Sequence, residues 1–283
     1  MNSNDVILEA KDIHARYGIN ETKEVLKGIN FSIKKGQCIV IMGENGAGKS
    51  TFLKVLCGLL VQNSGTIITE GKISYLPETS SIYPYLSAEE SIEYFSIFGD
   101  NTEDVSTIIK KLKLPEGSKT VSRNFSKGTK RKTSLGMIVS SESDIFILDE
   151  PFEGLDPRVC EDIVDLILGY KSLSKSFVIA SHDLTYSNKI ADRVLNLSSG
   201  VIAGEIYSTE QNTVVMRFSS SKDRVLDFLN ENKTIFNAES FPEVEINLSE
   251  NRNEFIKRVI NNGLEFEEIR DFNLQDKFRR SKV

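Results

Sequence analysis

The segment CIVIMGENGAGKST, residues 38–51, limits this chain more than any other stretch. Cys38 to Met42 form an unbroken apolar run, the pattern of a strand covered on both faces, as in a parallel sheet. GENGAGKST then satisfies G-x-x-x-x-G-K-[ST] and opens a helix expected over about Lys49–Leu60. Strand, glycine-rich loop and helix in that order predict an α/β fold built on a parallel sheet. The glycines let backbone N–H groups turn inward around an anion, and the helix N-terminus adds partial positive charge. Gly43, Asn45, Gly46, Ala47 and Gly48 are therefore candidate phosphate-binding residues. Lys49 is placed to reach β- and γ-phosphates, the Ser50 hydroxyl to hold Mg²⁺, and Thr51 to contact an α-phosphate. The competing reading is a glycine-rich turn with no ligand.

A second buried strand, DIFILDE at 144–150, supplies the acids such a loop needs. Asp149 emerges where it can reach Mg²⁺ through water. Glu150 follows and is the candidate general base for an attacking water. Adjacent acids after a strand are otherwise a solvated turn, the better reading if the phosphate loop were absent. SFVIAS at 176–181 is a third buried strand, and His182 follows it.

Around these strands the chain changes character twice. Residues 79–141 are rich in Ser, Glu and Lys with helical spacing, which predicts a mainly helical insert. A boundary is expected near residue 210. Beyond it, 211–283 read as strand, helix, two strands, helix and strand, the βαββαβ order of a small ferredoxin-like domain. The expected organisation is a domain over 1–210 and an accessory domain over 211–283.

The ordered motifs resemble the ATP-binding subunit of ABC transporters. GENGAGKST is similar to Walker A and DIFILDEP to Walker B with its following glutamate. FSKGT at 125–129 resembles the signature loop, EGLDP at 153–157 the D-loop, and His182 in IASHD the switch histidine. Tyr17 in HARYG stands where such proteins stack an aromatic on adenine. The resemblance implies an Mg²⁺-dependent ATPase with the P-loop ABC fold, an antiparallel β subdomain and a helical insert. It also implies a head-to-tail dimer in which Ser126, Lys127 and Gly128 touch the γ-phosphate held by the other subunit, and a separate polytopic membrane permease. Two departures stand out. Glu78, in ISYLPET, takes the place of the usual glutamine and adds a carboxylate near Mg²⁺ and water. FSKGT has Lys127 for a glycine. Both variants, with the βαββαβ tail, resemble the ABC-2 export group, and NLQDKF at 273–278 is similar to that group's closing segment.

The run FSKGTKRK leaves its own question. Lys130, Arg131 and Lys132 lie beyond the signature-like loop and either approach phosphate or form a solvated helix face. A net charge of −6 argues against a general nucleic-acid binder, and no aromatic stacking pattern accompanies these cations. A soluble ABC ATPase acting on ribosomes or nucleic acid, or a regulatory ATP sensor, is the alternative reading. The N-terminus lacks the pattern of a signal peptide, no apolar run approaches the ~20 residues of a membrane helix, and the three cysteines are scattered without a CxxC pair. These features predict a cytoplasmic protein, and the family resemblance implies that it is peripheral on the inner face of the membrane.

Overall fold

The computed structural model describes residues 5–17, 24–79, 82–99, 103–207, 213–248 and 252–271. The chain divides into two compact units, Met1–Ile206 and Tyr207–Val283.

In the first unit, β3 (Cys38–Met42), β6 (Ile145–Asp149) and β7 (Ser176–Ala180) are buried at every position. They belong to a six-stranded sheet in the order β5-β6-β7-β3-β8-β9, with β5 at Ile73–Leu76, β8 at Arg193–Ser198 and β9 at Val201–Tyr207. Every neighbouring pair within β5-β6-β7-β3-β8 is parallel. A separate antiparallel sheet, β2-β1-β4, is formed by β1 (Val6–Ala15), β2 (Leu26–Lys34) and β4 (Ser64–Thr69). Its alternating face, with Ile29, Phe31 and Ile33 inward, packs on α1 (Lys49–Leu56). The fully buried Phe52 of α1 meets Phe31 edge to face at 5.4 Å. Burying two such rings gives contact energy beyond their area alone, and it fixes the axis of the helix that follows the glycine loop.

Helix α1 stops earlier than its sequence pattern predicts. Cys57 caps it, and Gly58, at φ +71, turns the chain before Leu60. The strands β4 and β5 are short and only partly buried, so they carry little of the periodicity that betrays a strand in sequence.

The insert contains α2 (Ala88–Ser96), α3 (Val105–Lys111) and α4 (Lys127–Val139). Ser87 and Glu90 close a reciprocal capping box on α2, 3.2 Å and 2.7 Å long. α5 (Pro157–Ser172) starts with Asp156 accepting from the Val159 N–H and Pro157 in the first turn. The short α6 (Leu184–Ile190) begins at the Asp183 cap.

The second unit is a four-stranded antiparallel sheet, β11-β12-β10-β13, from β10 (Thr213–Phe218), β11 (Ile235–Asn237), β12 (Glu243–Asn247) and β13 (Phe266–Asp271). The helices α7 (Lys222–Glu231) and α8 (Arg252–Asn261) complete a βαββαβ order. Its core pairs Met216, Val244 and Ile246 from the strands with Val225, Leu229, Phe255 and Val259 from the helices. NLQDKF lies outside the described residues.

Candidate active site

Parallel pairing puts the C-terminal ends of β5, β6, β7 and β3 at one edge of the sheet. Ligands of open α/β sheets bind at that edge. Each strand delivers one part of the site there: β5 leads to Glu78, β6 ends at Asp149 and Glu150, β7 leads to His182, and β3 runs into the glycine loop. Together they border a cavity of about 770 Å³.

The loop is held open by backbone that other residues do not adopt easily. Gly48, at φ +106, is the N-cap of α1. A Cβ on Gly43 would stand 2.2 Å from the Leu197 carbonyl. Gly43, Asn45, Gly46 and Gly48 face the cavity, as do Ser50 and Thr51. Ala47 is buried and does not; its N–H is spent on the Glu44 carbonyl at 3.1 Å. Lys49 is only 7% exposed. Its Nζ donates to the carbonyls of Gly43 (2.9 Å) and Glu44 (3.4 Å) and lies 3.7 Å from Glu150 Oε1.

Glu150 sits at φ +45, a left-handed conformation that costs a non-glycine residue about 1–3 kcal/mol. Its N–H continues the sheet ladder to the Ala180 carbonyl at 2.9 Å. The turn swings its carboxylate out of the strand direction and into the cavity, between Lys49 and His182. His182 donates its backbone N–H to Glu150 Oε2 (3.3 Å), and its Nδ1 lies 2.9 Å from the same oxygen. An ionised carboxylate only accepts, so Nδ1 carries the hydrogen. The second ring nitrogen, Nε2, is the one left for a ligand.

Asp149 is 2% exposed. Tyr75 donates to its Oδ2 at 3.2 Å, while Oδ1 has no hydrogen-bond partner among the described residues. An orphaned buried carboxylate oxygen is costly unless a cation or a water completes it. With the Ser50 hydroxyl on the cavity wall, this hard oxygen donor set fits Mg²⁺. Burial raises the Tyr75 phenol well above its ordinary range, with Asp149 adding to the effect, so Tyr75 stays a donor. Tyr17, 40% exposed, lines the far end of the cavity beside Val25, its hydroxyl 3.1 Å from Thr51 Oγ1.

The sequence matches the ABC transporter family over residues 26–153. It is 33% identical over 183 residues to an uncharacterised ABC transporter ATP-binding protein of Methanocaldococcus jannaschii, covering 63% of this chain and 70% of that one. The chain belongs to the ABC transporter ATP-binding proteins. A lantibiotic transport ATP-binding protein of Streptococcus pyogenes is 29% identical over 217 residues, 73% of this chain and 93% of its own. Among solved structures, an ATP-binding subunit of an ABC transporter superposes with a TM-score of 0.64 at 25% identity, covering 71% of this chain and 90% of that one. As a member of this family the chain is an ATP-binding, ATP-hydrolysing subunit, and its first unit has the ABC ATPase fold.

In this ABC subunit the signature-like residues stand apart from the cavity. Ser126 caps α4, accepting from the Thr129 N–H at 3.1 Å. Gly128 is buried against Val159, and the exposed Lys127 lies over Gly154 of the D-loop-like turn. The structure also resolves the basic run. Arg131 and Lys132 are 4% and 8% exposed, so a solvated face is the wrong description for these two. Lys132 pairs with Asp162 of α5 at 2.8 Å, and Arg131 is bound to main-chain carbonyls. Local pattern does not mark them, because α4 is buried continuously from Arg131 to Met137 and not along one apolar stripe. Val25, Glu44 and Glu153 also line the cavity; Glu44 lies within GENGAGKST and Glu153 opens EGLDP, while Val25 belongs to no motif.

Proposed function

We propose that this ABC subunit hydrolyses ATP with Glu150 as general base and drives export through a separate polytopic permease. The observation that carries the catalytic reading is the placement of Glu150 between Lys49 and His182, with its backbone turned to φ +45. Without nucleotide, Lys49 is occupied by two carbonyls and a carboxylate. A triphosphate entering the loop offers it stronger acceptors, and Glu150 is released to face water. His182 keeps the carboxylate aimed and presents Nε2 to the γ-phosphate. Tyr17 is the adenine platform, its ring anchored through Thr51. Ser50 and Asp149 would hold Mg²⁺, with Glu78 beside them on the wall. Bound Mg²⁺ neutralises charge on the transferring phosphoryl group.

Ser126, Lys127 and Gly128 do not line their own chain's cavity, which supports a head-to-tail dimer where they meet the partner's nucleotide. Among the described residues no helix is long and apolar enough to cross a membrane. The permease is then a second protein, and this subunit is peripheral on its cytoplasmic side. An exposed aromatic patch on the insert supports the docking site. Tyr85, Ile97 and Phe98 are 70–74% exposed. Phe98 meets Tyr94 at 5.6 Å and Tyr94 meets Tyr83 at 5.5 Å. Apolar groups gathered this way mark interaction surfaces. The relative associated with lantibiotic transport favours a drug, a peptide antibiotic or a lipid-like cargo. Burial of Arg131 and Lys132 removes half of the basic run from the surface and weakens a nucleic-acid reading.

The test is an affinity capture of the tagged chain from detergent-solubilised native membranes. A polytopic membrane protein should co-purify in a fixed ratio, and Tyr85→Glu with Phe98→Glu should release it while the isolated subunit still hydrolyses ATP. Capture of ribosomes or nucleic acid instead would overturn the transporter role.

A further inference from the structure

Arg131 enters the interior one turn after the signature-like loop. Its guanidinium donates to four carbonyls. Nη1 reaches Pro77 (2.6 Å) and Glu78 (3.1 Å), Nη2 reaches Asp149, and Nε reaches Pro151 (3.3 Å). Two of these carbonyls belong to the turn that carries Glu78, and two flank Glu150. The two segments follow different strands, β5 and β6, and Arg131 is a clasp between them. A planar guanidinium with five donors in a fixed fork can span four acceptors on two segments; an ammonium cannot.

Charge makes the placement more pointed. Three carboxylates, Glu78, Glu150 and Glu153, crowd this edge of the cavity, and Asp149 lies buried behind it. Glu78 stands where the family resemblance expects a neutral glutamine, so this chain has one more negative charge beside the phosphate site than that pattern requires. Arg131 is the buried cation between the strand ends that bear these acids, and Lys49, the other one at the site, is committed to phosphate. Burial pulls the guanidinium down to about 10, against the upward influence of Asp149, Glu78, Glu150 and Glu153, so it is charged at neutral pH.

We propose that Arg131 is a positioning residue for hydrolysis: it clasps the Glu78 turn to the strand end bearing Glu150, and its charge is what permits a carboxylate at position 78. The inference rests on the assignment of Glu150 as base and of Glu78 to the catalytic edge. It makes a pair of substitutions non-additive. Removing the cation leaves Glu78 uncompensated, and removing Glu78 as well should relieve the defect.

The experiment uses the full chain with Arg131→Met, Arg131→Gln and Arg131→Lys, and Glu78→Gln in the native and Arg131→Gln backgrounds. Arg131→Met should lower kcat by about 100-fold, the scale of a small misplacement of reacting groups, and leave KM for ATP within about threefold. Arg131→Lys keeps the charge and loses the fork, so it should fall between. In Arg131→Gln, Glu78→Gln should raise kcat by about fivefold or more, whereas in the native background it should not. A readout without nucleotide accompanies these: hydrogen exchange of peptides spanning 76–79 and 149–153 should quicken together in Arg131→Gln while β10 is unchanged. If Arg131→Met does not fold, the Gln and Lys variants carry the test. Normal kcat in the folded variants, unchanged exchange in both peptides, or an equal effect of Glu78→Gln in both backgrounds would overturn the proposal. Glu150→Gln, measured in parallel, separates the two readings. Retained turnover there removes the base assignment, while lost turnover there with normal Arg131 variants removes only the clasp.

Discussion

The two compact units bury different kinds of side chain. Among the described residues, every buried polar or charged side chain lies in the first unit, including Lys49, Arg131 and Asp149. Among the described residues the second unit buries only hydrophobic ones, Val214 through Leu264, and its Arg217–Glu267 pair is exposed. Buried charge is expensive unless something is aimed at it. In the first unit Lys49, Arg131 and Asp149 concentrate that expense where four parallel strands end, and the strained backbone of Glu150 sits in the same place. Among its described residues the second unit has the makings of a packed domain with no comparable centre. Chemistry and packing are therefore separable in this chain, and each can be attacked without the other.

The largest effect should come from Glu150→Gln. It keeps shape and removes the base, so turnover should fall by about 10²–10⁴-fold with ATP still bound. A long-lived nucleotide-bound dimer, seen by light scattering with MgATP, should accompany the loss. Turnover close to normal would take Glu150 out of the mechanism and with it the contrast between the units. Next comes Phe255→Ala in the second unit. Phe255 is 1% exposed and packs 6.3 Å from the Phe228 ring. Its truncation should cost about 3–5 kcal/mol, enough to unfold a small domain. Hydrogen exchange should show β10 to β13 opening while ATP affinity of the first unit stays within about twofold. Joint loss of both would show that the units depend on each other energetically.

The sequence revealed most where one residue type serves one purpose. The glycine loop, Lys49 and the apolar runs of β3, β6 and β7 were legible because few other folds tolerate them. The alternating Val244 and Ile246 marked a strand in the tail for the same reason. Legibility failed where tertiary context overrode local pattern. Nothing in DEP indicates that Glu150 takes φ +45, since glutamate gains nothing from that conformation; the ladder bond to Ala180 and the grip of Lys49 and His182 hold it there. The basic run was ambiguous because composition weighs four cations equally. Position along the helix does not: Lys127 opens α4 and stays exposed, whereas Arg131, one turn further along the same face, is enclosed. β4 and β5 went unseen because half-buried edges show neither clean alternation nor a continuous apolar run.

The smallest expected effect concerns pH. His14 lies in the first unit, so the effect of its titration should be read there and not in the second. His14, in β1, has Nδ1 2.8 Å from Glu24 and Nε2 3.1 Å from Asp12. Both ring nitrogens can donate only in the imidazolium form. The hydrogen bonds to Glu24 and then Asp12 accordingly raise the His14 pKa above its ordinary value of 6.5. A group whose folded pKa is raised contributes its stability below the unfolded value and loses it as pH climbs through the folded one. His14→Gln should therefore loosen β1 at pH 6 and change it little at pH 8. Hydrogen exchange of the peptide spanning 12–16, native against variant at the two pH values, reads this directly, with β10 as internal control. Equal differences at both pH values would mean that His14 holds β1 by packing alone, and that the first unit's charge pairs outside the cavity are as inert as those on the surface of the second.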